Sequence, residues 1–323
     1  MGERSGLGLV ECAILEALDS LHANPEGQYR PNAQVLAVVE DRIGLAPGYA
    51  YEVLLDLGRP WTMPVNLISR CGNFGGRGHD PAANFRYTES RLSPAGQVAL
   101  AAERGDVAPV PIGLINGNAY REGLRPPFRP QAIIAALRRV IERPRMTSHE
   151  LTGIVGPPQF GNGCTVTGDF AALAAGRPTV LTLHARVTIS DDRSSVIIEN
   201  LPPNANVDDT VRSIADRARP RDWATRYPAL HRHERLPLEN LRDESITDQD
   251  IDRLVCIPEP EITPEEIRDQ LLDIYGVYTT VPVALPRPLV SVIRGWAKTY
   301  QSEDLLTSLT ALENAIRTQS AGK

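Results

Sequence analysis

Three short clusters in the sequence carry groups able to do chemistry. Gly72-Asn73-Phe74-Gly75-Gly76-Arg77-Gly78 is glycine-rich, and such runs can turn successive backbone N–H groups onto a phosphate. The lysine of a phosphate-binding P-loop is absent and no dinucleotide fingerprint fits, so the run reads as a turn. Asp248-Gln249-Asp250-Ile251-Asp252 alternates carboxylates that could hold a divalent cation, but it lacks the glycine and distal glutamate of an EF-hand loop. The run leads directly into an apolar stretch, so solvated acids at a strand start are the expectation. His231-Arg232-His233 offers two imidazoles without a third ligand nearby and reads as a polar loop. No metal site is therefore expected. The four cysteines, Cys12, Cys71, Cys164 and Cys256, form no CxxC pair and read as reduced thiols.

The elements around these clusters follow from periodicity. Leu7, Val10, Ile14, Leu18 and Leu21 recur at three- and four-residue spacing, which makes one face of a helix apolar. Two more helices are expected over Asn32–Ile43, with Val35, Val38 and Val39 inward, and over Pro47–Leu57, stopped by Gly58 and Pro60. Met63–Ile68 reads as a strand. Ser93-Pro94 caps a helix ending near Gly105, Val110–Ile115 reads as a strand, and Pro130–Arg143 as an amphipathic helix. Asp169–Ala175 is a short helix closed by Gly176, and Thr179–Ile189 with Ser195–Glu199 makes a hairpin. A helix over Val207–Arg217 precedes a polar loop, Arg219–Leu236. Then come a strand over Ile251–Ile257, a capping-box helix from Thr263 to Gly276, a strand over Val277–Ala284, and helix through Pro288–Arg317. Helices first, then strands mixed with helices, is an α+β order.

At 323 residues the chain has room for about two domains, and 42% hydrophobic with 23% charged residues is ordinary for a soluble globular protein. No apolar run approaches the roughly 20 residues needed to cross a bilayer, and Met1–Leu21 carries acids where a signal peptide is cationic. A cytoplasmic protein without a membrane partner is expected. Net charge is −6, yet its distribution is uneven. Arg59–Arg145 holds 13 arginines against 6 acids, while Leu236–Tyr275 holds 3 against 12. A basic middle of this kind could face a polyanion while the acidic part stays in water.

The stretch Cys71–Ser93, CGNFGGRGHDPAANFRYTESRLS, is similar to the segment around the catalytic tyrosine in the A-type chains of type IIA DNA topoisomerases, the gyrase A and topoisomerase IV A class. The matching positions are Gly72–Gly75, Asp80, Arg86, Tyr87, Thr88, Glu89, Arg91 and Leu92. Leu114-Ile115-Asn116-Gly117 followed by Pro126-Pro127 resembles the segment where that family's tower domain begins, and Arg242-Asp243-Glu244-Ser245 resembles a tower motif. Gly6–Leu18 and Tyr51–Ile68 align with the opening helices. The resemblance implies a winged-helix DNA-gate domain over 1–112 that carries the tyrosine, then a tower-like α/β domain over 113–323. No counterpart of the family's coiled-coil exit gate or C-terminal DNA-wrapping domain is expected in this sequence.

By the same resemblance, Tyr87 is the nucleophile toward a DNA phosphodiester, leaving a 5′-phosphotyrosyl bond and a free 3′-hydroxyl. A phenol of pKa near 10 attacks poorly until deprotonated, and the transition state gathers negative charge. Arg86, permanently cationic and able to fork two hydrogen bonds, suits that charge. Arg70, Arg77, Arg91, Arg121 and Arg125 are the candidate DNA contacts. Mg²⁺ and ATP would come only through a B-type (gyrase B-like) partner, and a homodimer on double-stranded DNA is implied. Departures accompany the matches. Ile43 and Leu45 stand where the family places two histidines, Cys12 and Ala13 where it places an arginine pair, and Tyr120 is the one bulky residue near the family's intercalating isoleucine. Three readings therefore stand: a cleaving A-type topoisomerase chain, a DNA-binding or gyrase-modulating protein with a protective or resistance role and little or no turnover, or a structural relic.

Overall fold

The computed structural model describes residues 5–117, 125–160, 163–218, 235–246, 251–299 and 302–321. It opens with α1 (Leu9–Ser20), β1 (Arg30–Pro31), α2 (Asn32–Ile43), α3 (Pro47–Gly58), β2 (Ile68–Cys71), β3 (Glu89–Leu92) and α4 (Pro94–Arg104). Local chemistry sets the helix ends. Gly44 closes α2 in the left-handed conformation and Pro47 starts α3. The Ser93 side chain accepts from Gly96 N at 2.9 Å to cap α4. The three strands form an antiparallel sheet in the order β1-β3-β2, with Ile68 opposite Leu92 and Cys71 opposite Glu89. Val35 and Val39 of α2 are fully buried as their spacing requires, along with Ile14 and Leu18 of α1.

The remaining elements are α5 (Ile112–Asn116), α6 (Pro130–Glu142), α7 (Ser148–Val155), β4 (Thr165–Thr167), α8 (Phe170–Ala174), β5 (Thr179–His184), β6 (Arg186–Ile189), β7 (Val196–Glu199), α9 (Val207–Ala218), β8 (Leu238–Asp243), β9 (Arg253–Pro258), α10 (Pro264–Leu271), β10 (Tyr278–Val283), α11 (Leu289–Thr299) and α12 (Ser302–Ala321). They build two further antiparallel sheets, ordered β10-β5-β4 and β6-β7-β9-β8. The whole is a mixed α+β fold. Among the described residues no helix is long and apolar enough to cross a membrane.

Four expectations change. The strand near Met63–Ile68 begins only at Ile68, because Val65 gives its N–H and C=O to the Asn116 side chain (3.0 and 2.9 Å) and not to a ladder. Val110–Ile115 is not a strand. Pro109 and Pro111 remove ladder donors, and Pro111 O accepts from Ile115 N to open α5 instead. Thr179–Ile189 is broken at Ala185, so its two halves enter different sheets. The helix begun at Thr263 ends at Leu271, short of Gly276.

Buried apolar side chains gather in two clusters. One joins α1–α4 to α6 and takes in Leu181, Leu183, Val281 and Val283, together with Leu305, Leu309 and Leu312 of α12. The other lies between Ala185 and Val277 and includes Val196, Ile198, Leu254, Ile267 and Ile274. The first cluster thus runs without a break past residue 112, where a domain boundary was expected. It recruits the C-terminal helix, because each leucine removed from water there contributes about 1.5–3 kcal/mol.

Candidate functional site

Tyr87 lies in the long connection from β2 to β3, one residue before Thr88 and two before β3. The connection is folded on itself. Gly72 has φ +89°, and a Cβ there would stand 2.9 Å from the Tyr87 carbonyl oxygen, so only glycine lets the two backbones approach. The Asn73 side chain accepts from Gly75 N at 2.6 Å, and Asn73 O accepts from Ala83 N at 3.0 Å. Gly76 N donates to Asp80 O at 3.0 Å, while Phe74 is buried and its carbonyl accepts from Arg59 Nε at 2.9 Å.

Beneath the tyrosine is a buried polar relay. Asn32 Nδ2 donates to Thr88 Oγ1 at 2.8 Å, and Tyr51 Oη lies 2.9 Å from the same oxygen and 2.7 Å from Ala83 O. A carbonyl can only accept, so Tyr51 spends its proton on Ala83 and receives the one from Thr88. Ser90 Oγ donates to Asn32 Oδ1, and Asn32 N donates to Thr88 O at 2.9 Å. Burial pushes the Tyr51 phenol up, partly offset by the Thr88 hydrogen bond and Arg59, so Tyr51 remains a donor at neutral pH. Thr88 and Ser90 point inward, and strand alternation turns Tyr87 outward at 78% exposure. Tyr87 N donates to Asn84 O at 2.8 Å and Arg86 N to Asn84 Oδ1 at 3.1 Å, which fixes the turn. The Arg86 side chain is exposed and has no ion-pair partner among the described residues.

The tip of the connection is tied to the second cluster. The Arg77 side chain, 4% exposed, pairs with Asp252, 7% exposed, and Arg77 Nη2 donates to the carbonyls of Leu201 (2.7 Å) and Pro202 (2.6 Å). Val207 N donates to Arg77 O, His79 N donates to Asp208 at 2.6 Å, and the His79 ring lies 3.1 Å from Asp209. A cleft of about 190 Å³ between Trp61, Asp80, Asp243 and these groups marks the seam.

The expected DNA contacts disperse accordingly. Arg77, expected as a phosphate contact, lies sealed from solvent in this pairing. Arg91 lies on β3 with its guanidinium 4.5 Å above the Tyr29 ring and donates to Gly27 O at 2.8 Å. Arg70, on β2, stacks over Trp61 at 5.6 Å. Arg125 is half-buried beside Gly117, whose φ of +61° lets the chain pass within contact of Pro126. Arg121 and Tyr120 lie outside the described residues, as do the pair His231 and His233 and the acids Asp248 and Asp250. Several other arginines of the basic stretch are also spoken for: Arg59 by Asp56, Arg104 by Asp19, Arg138 by Glu313 and Arg139 by Glu142. The charge count overstated the field because these acids come mostly from outside the stretch.

At the positions where the resemblance places histidines, Ile43 and Leu45 pack half-buried on the first cluster. Cys12 and Ala13 are buried in α1, and burial, helped by Glu103, Glu11 and Glu16, pushes the Cys12 thiol up to about 12. Asn32 and Tyr51 were not foreseen as site residues, and Asp252, read as a solvated acid at a strand start, is instead buried on Arg77. Thr88 was visible in the motif, and its inward direction follows from Tyr87 facing out.

No family model matches the chain. Curated relatives do. The DNA gyrase A protein of Nocardioides sp. is 29% identical over 61% of this chain, and that of Synechocystis sp. 29% identical over 66%. The DNA gyrase A protein of Thermotoga maritima is 26% identical over 90% of it. The matched region spans 26%, 29% and 39% of those three relatives' own lengths. Together they make the chain a divergent, gyrase A-like sequence.

Proposed function

We propose, from the premise of a gyrase A-like chain, that the protein binds double-stranded DNA and presents Tyr87 as the nucleophile of a strand-breaking transesterification, working with a B-type partner. The observation behind this is the placement of Tyr87, outward on a braced mount, beside Arg86, which has no ion-pair partner among the described residues. In the step, Tyr87 Oη gives its proton to water or a partner base and attacks phosphorus. The P–O3′ bond breaks, the 3′-oxygen takes up a proton, and a 5′-phosphotyrosyl ester forms. Rejoining is the reverse, since one phosphoester bond replaces another. Arg86 is suited to the charge gathered in between. The described residues bring no three His, Cys, Asp or Glu side chains together in a metal-holding group, and no step here is routed through a metal. Mg²⁺ and ATP are assigned to the B-type partner, and one tyrosine per strand calls for a homodimer. We read α1–α3 with β1–β3 as a winged helix and the later sheets as tower-like.

A second reading, a DNA-binding or gyrase-modulating protein without turnover, has its own observation: Cys12 and Ala13 are buried in the core, and Ile43 and Leu45 pack half-buried against it. Each missing transition-state contact typically costs about 10²–10³ in rate. The deciding experiment mixes the protein with Mg²⁺, nicked duplex and a gyrase B protein, then traps with denaturant. A covalent adduct that vanishes in Tyr87→Phe establishes cleavage. Duplex binding with no adduct under any pairing establishes the second reading.

A further inference from the structure

In the sheet β10-β5-β4, Leu181, Leu183, Val281 and Val283 fill the core, so the alternate residues of the same strands form an open face. That face carries Thr182 and Thr280 side by side, with Thr167 beyond them and Tyr278 opposite His184. The His184 and Tyr278 rings are 6.4 Å apart with 36° between their planes. Tyr275 continues the row, 6.1 Å from Tyr278 and 65% exposed. Three rings about 6 Å apart thus cross a surface whose strands contribute no charge.

One end of the face, beyond Thr179 and Val283, is cationic. Residues 170–190 and 274–302 contain no Asp or Glu, but hold Arg177, Arg186, Arg287, Arg294 and Lys298. Arg294 is engaged, donating to Met146 O. Arg177 and Arg287 are exposed, without an ion-pair partner among the described residues, and adjacent: a Cβ on Gly176 would lie 3.2 Å from the Arg287 carbonyl carbon. The nearby acids are largely occupied. Asp169 accepts from Ala172 N at its own helix start, and Glu199, cross-strand from Arg186, is held by Arg253; Asp273, two residues before Tyr275, stays exposed.

We propose that this face binds single-stranded nucleic acid, with bases stacking on His184, Tyr278 and Tyr275 at one end of the strands and the backbone running along the face to Arg177 and Arg287 at the other. Aromatic rings joined by uncharged strands to a cationic end recognise the π-faces of unpaired bases, which a duplex keeps covered. The site lies on different strands from Tyr87 and stands on these observations alone.

The test is fluorescence anisotropy with a labelled 12-nucleotide oligo(dT), alongside a blunt duplex of the same length. Tyr275→Ala and His184→Ala should each weaken oligo(dT) binding by about tenfold. Tyr275→Phe should keep it, Arg177→Gln with Arg287→Gln should weaken it and flatten its salt dependence, and Tyr87→Phe should leave it unchanged. Tyr275 is exposed, so its variants keep the wild-type melting curve. Absence of oligo(dT) binding, equal or tighter duplex binding at this face, or unchanged affinity in Tyr275→Ala overturns the proposal. Adduct formation by Tyr87 is read separately, so failure of one does not pass for failure of the other.

Discussion

Replacing Asp252 by alanine removes the carboxylate paired with the buried Arg77 guanidinium and leaves the carbonyls of Leu201 and Pro202 accepting from it. Removing one member of a buried pair typically costs about 3–5 kcal/mol, and the two retained carbonyls put the expected loss near the lower end, about 3 kcal/mol. The double variant Arg77→Met with Asp252→Leu removes both charges and restores apolar volume. It orphans the two carbonyls at about 1 kcal/mol each, offset by relief of desolvation. It should therefore be more stable than Asp252→Ala alone. Urea unfolding followed by tryptophan fluorescence suits the question, because Trp61 lines the same cleft. Hydrogen exchange across residues 76–80 localises the effect. A loss under about 0.5 kcal/mol for Asp252→Ala, with exchange unchanged, would refute the idea that this pair holds the tip of the connection.

Tyr51→Phe breaks the relay between Thr88 and Ala83, and should cost about 1–2 kcal/mol in a urea melt while making residues 81–88 exchange faster. Gly72→Ala must adopt φ +89° and push against the Tyr87 carbonyl, a strain of roughly 1–3 kcal/mol visible as a lower melting temperature; an unchanged melt would contradict the geometry. Burial pushes the thiols of Cys12, Cys164 and Cys256 up to about 12, so at pH 8 they stay protonated and shielded, while Cys71 is exposed. Iodoacetamide on the native protein should therefore label Cys71 first, as peptide mass mapping will show. Duplex binding should weaken by about 10²-fold between 50 and 200 mM salt if some four phosphates are neutralised; a flat response would remove the electrostatic basis for DNA binding.

What the sequence disclosed depended on how local the determinant was. The limits of α2, α3 and α4 followed from Gly44, Pro47, Ser93 and Gly105, each acting within one turn. The helix α7 carried a readable Thr147–Glu150 capping box that the pattern of apolar residues did not expose. Tyr87 was legible from its motif, but its exposure and its brace were not, since Asn32 and Tyr51 reach Thr88 from two different helices. Arg77 looked like a phosphate contact because its partner Asp252 sits far along the chain, in a run of acids that itself suggested a cation. The basic stretch misled for the same reason: Asp19 and Glu313 neutralise Arg104 and Arg138 from opposite ends of the sequence.

The break at Ala185 has a mechanical consequence. Ala185 N donates to Val277 O at 2.8 Å, directly beside the pair His184 and Tyr278. The chain leaves the first cluster and returns to it through two adjacent points, so the second cluster is topologically an insertion between β5 and β10. The Arg77–Asp252 pair, with the Val207 N–Arg77 O and His79 N–Asp208 hydrogen bonds, ties the inserted part back to the connection that carries Tyr87. A variant in which a short turn joins His184 to Tyr278 is therefore expected to keep β5 and β10 paired, and a cooperative urea melt of the shortened chain checks it.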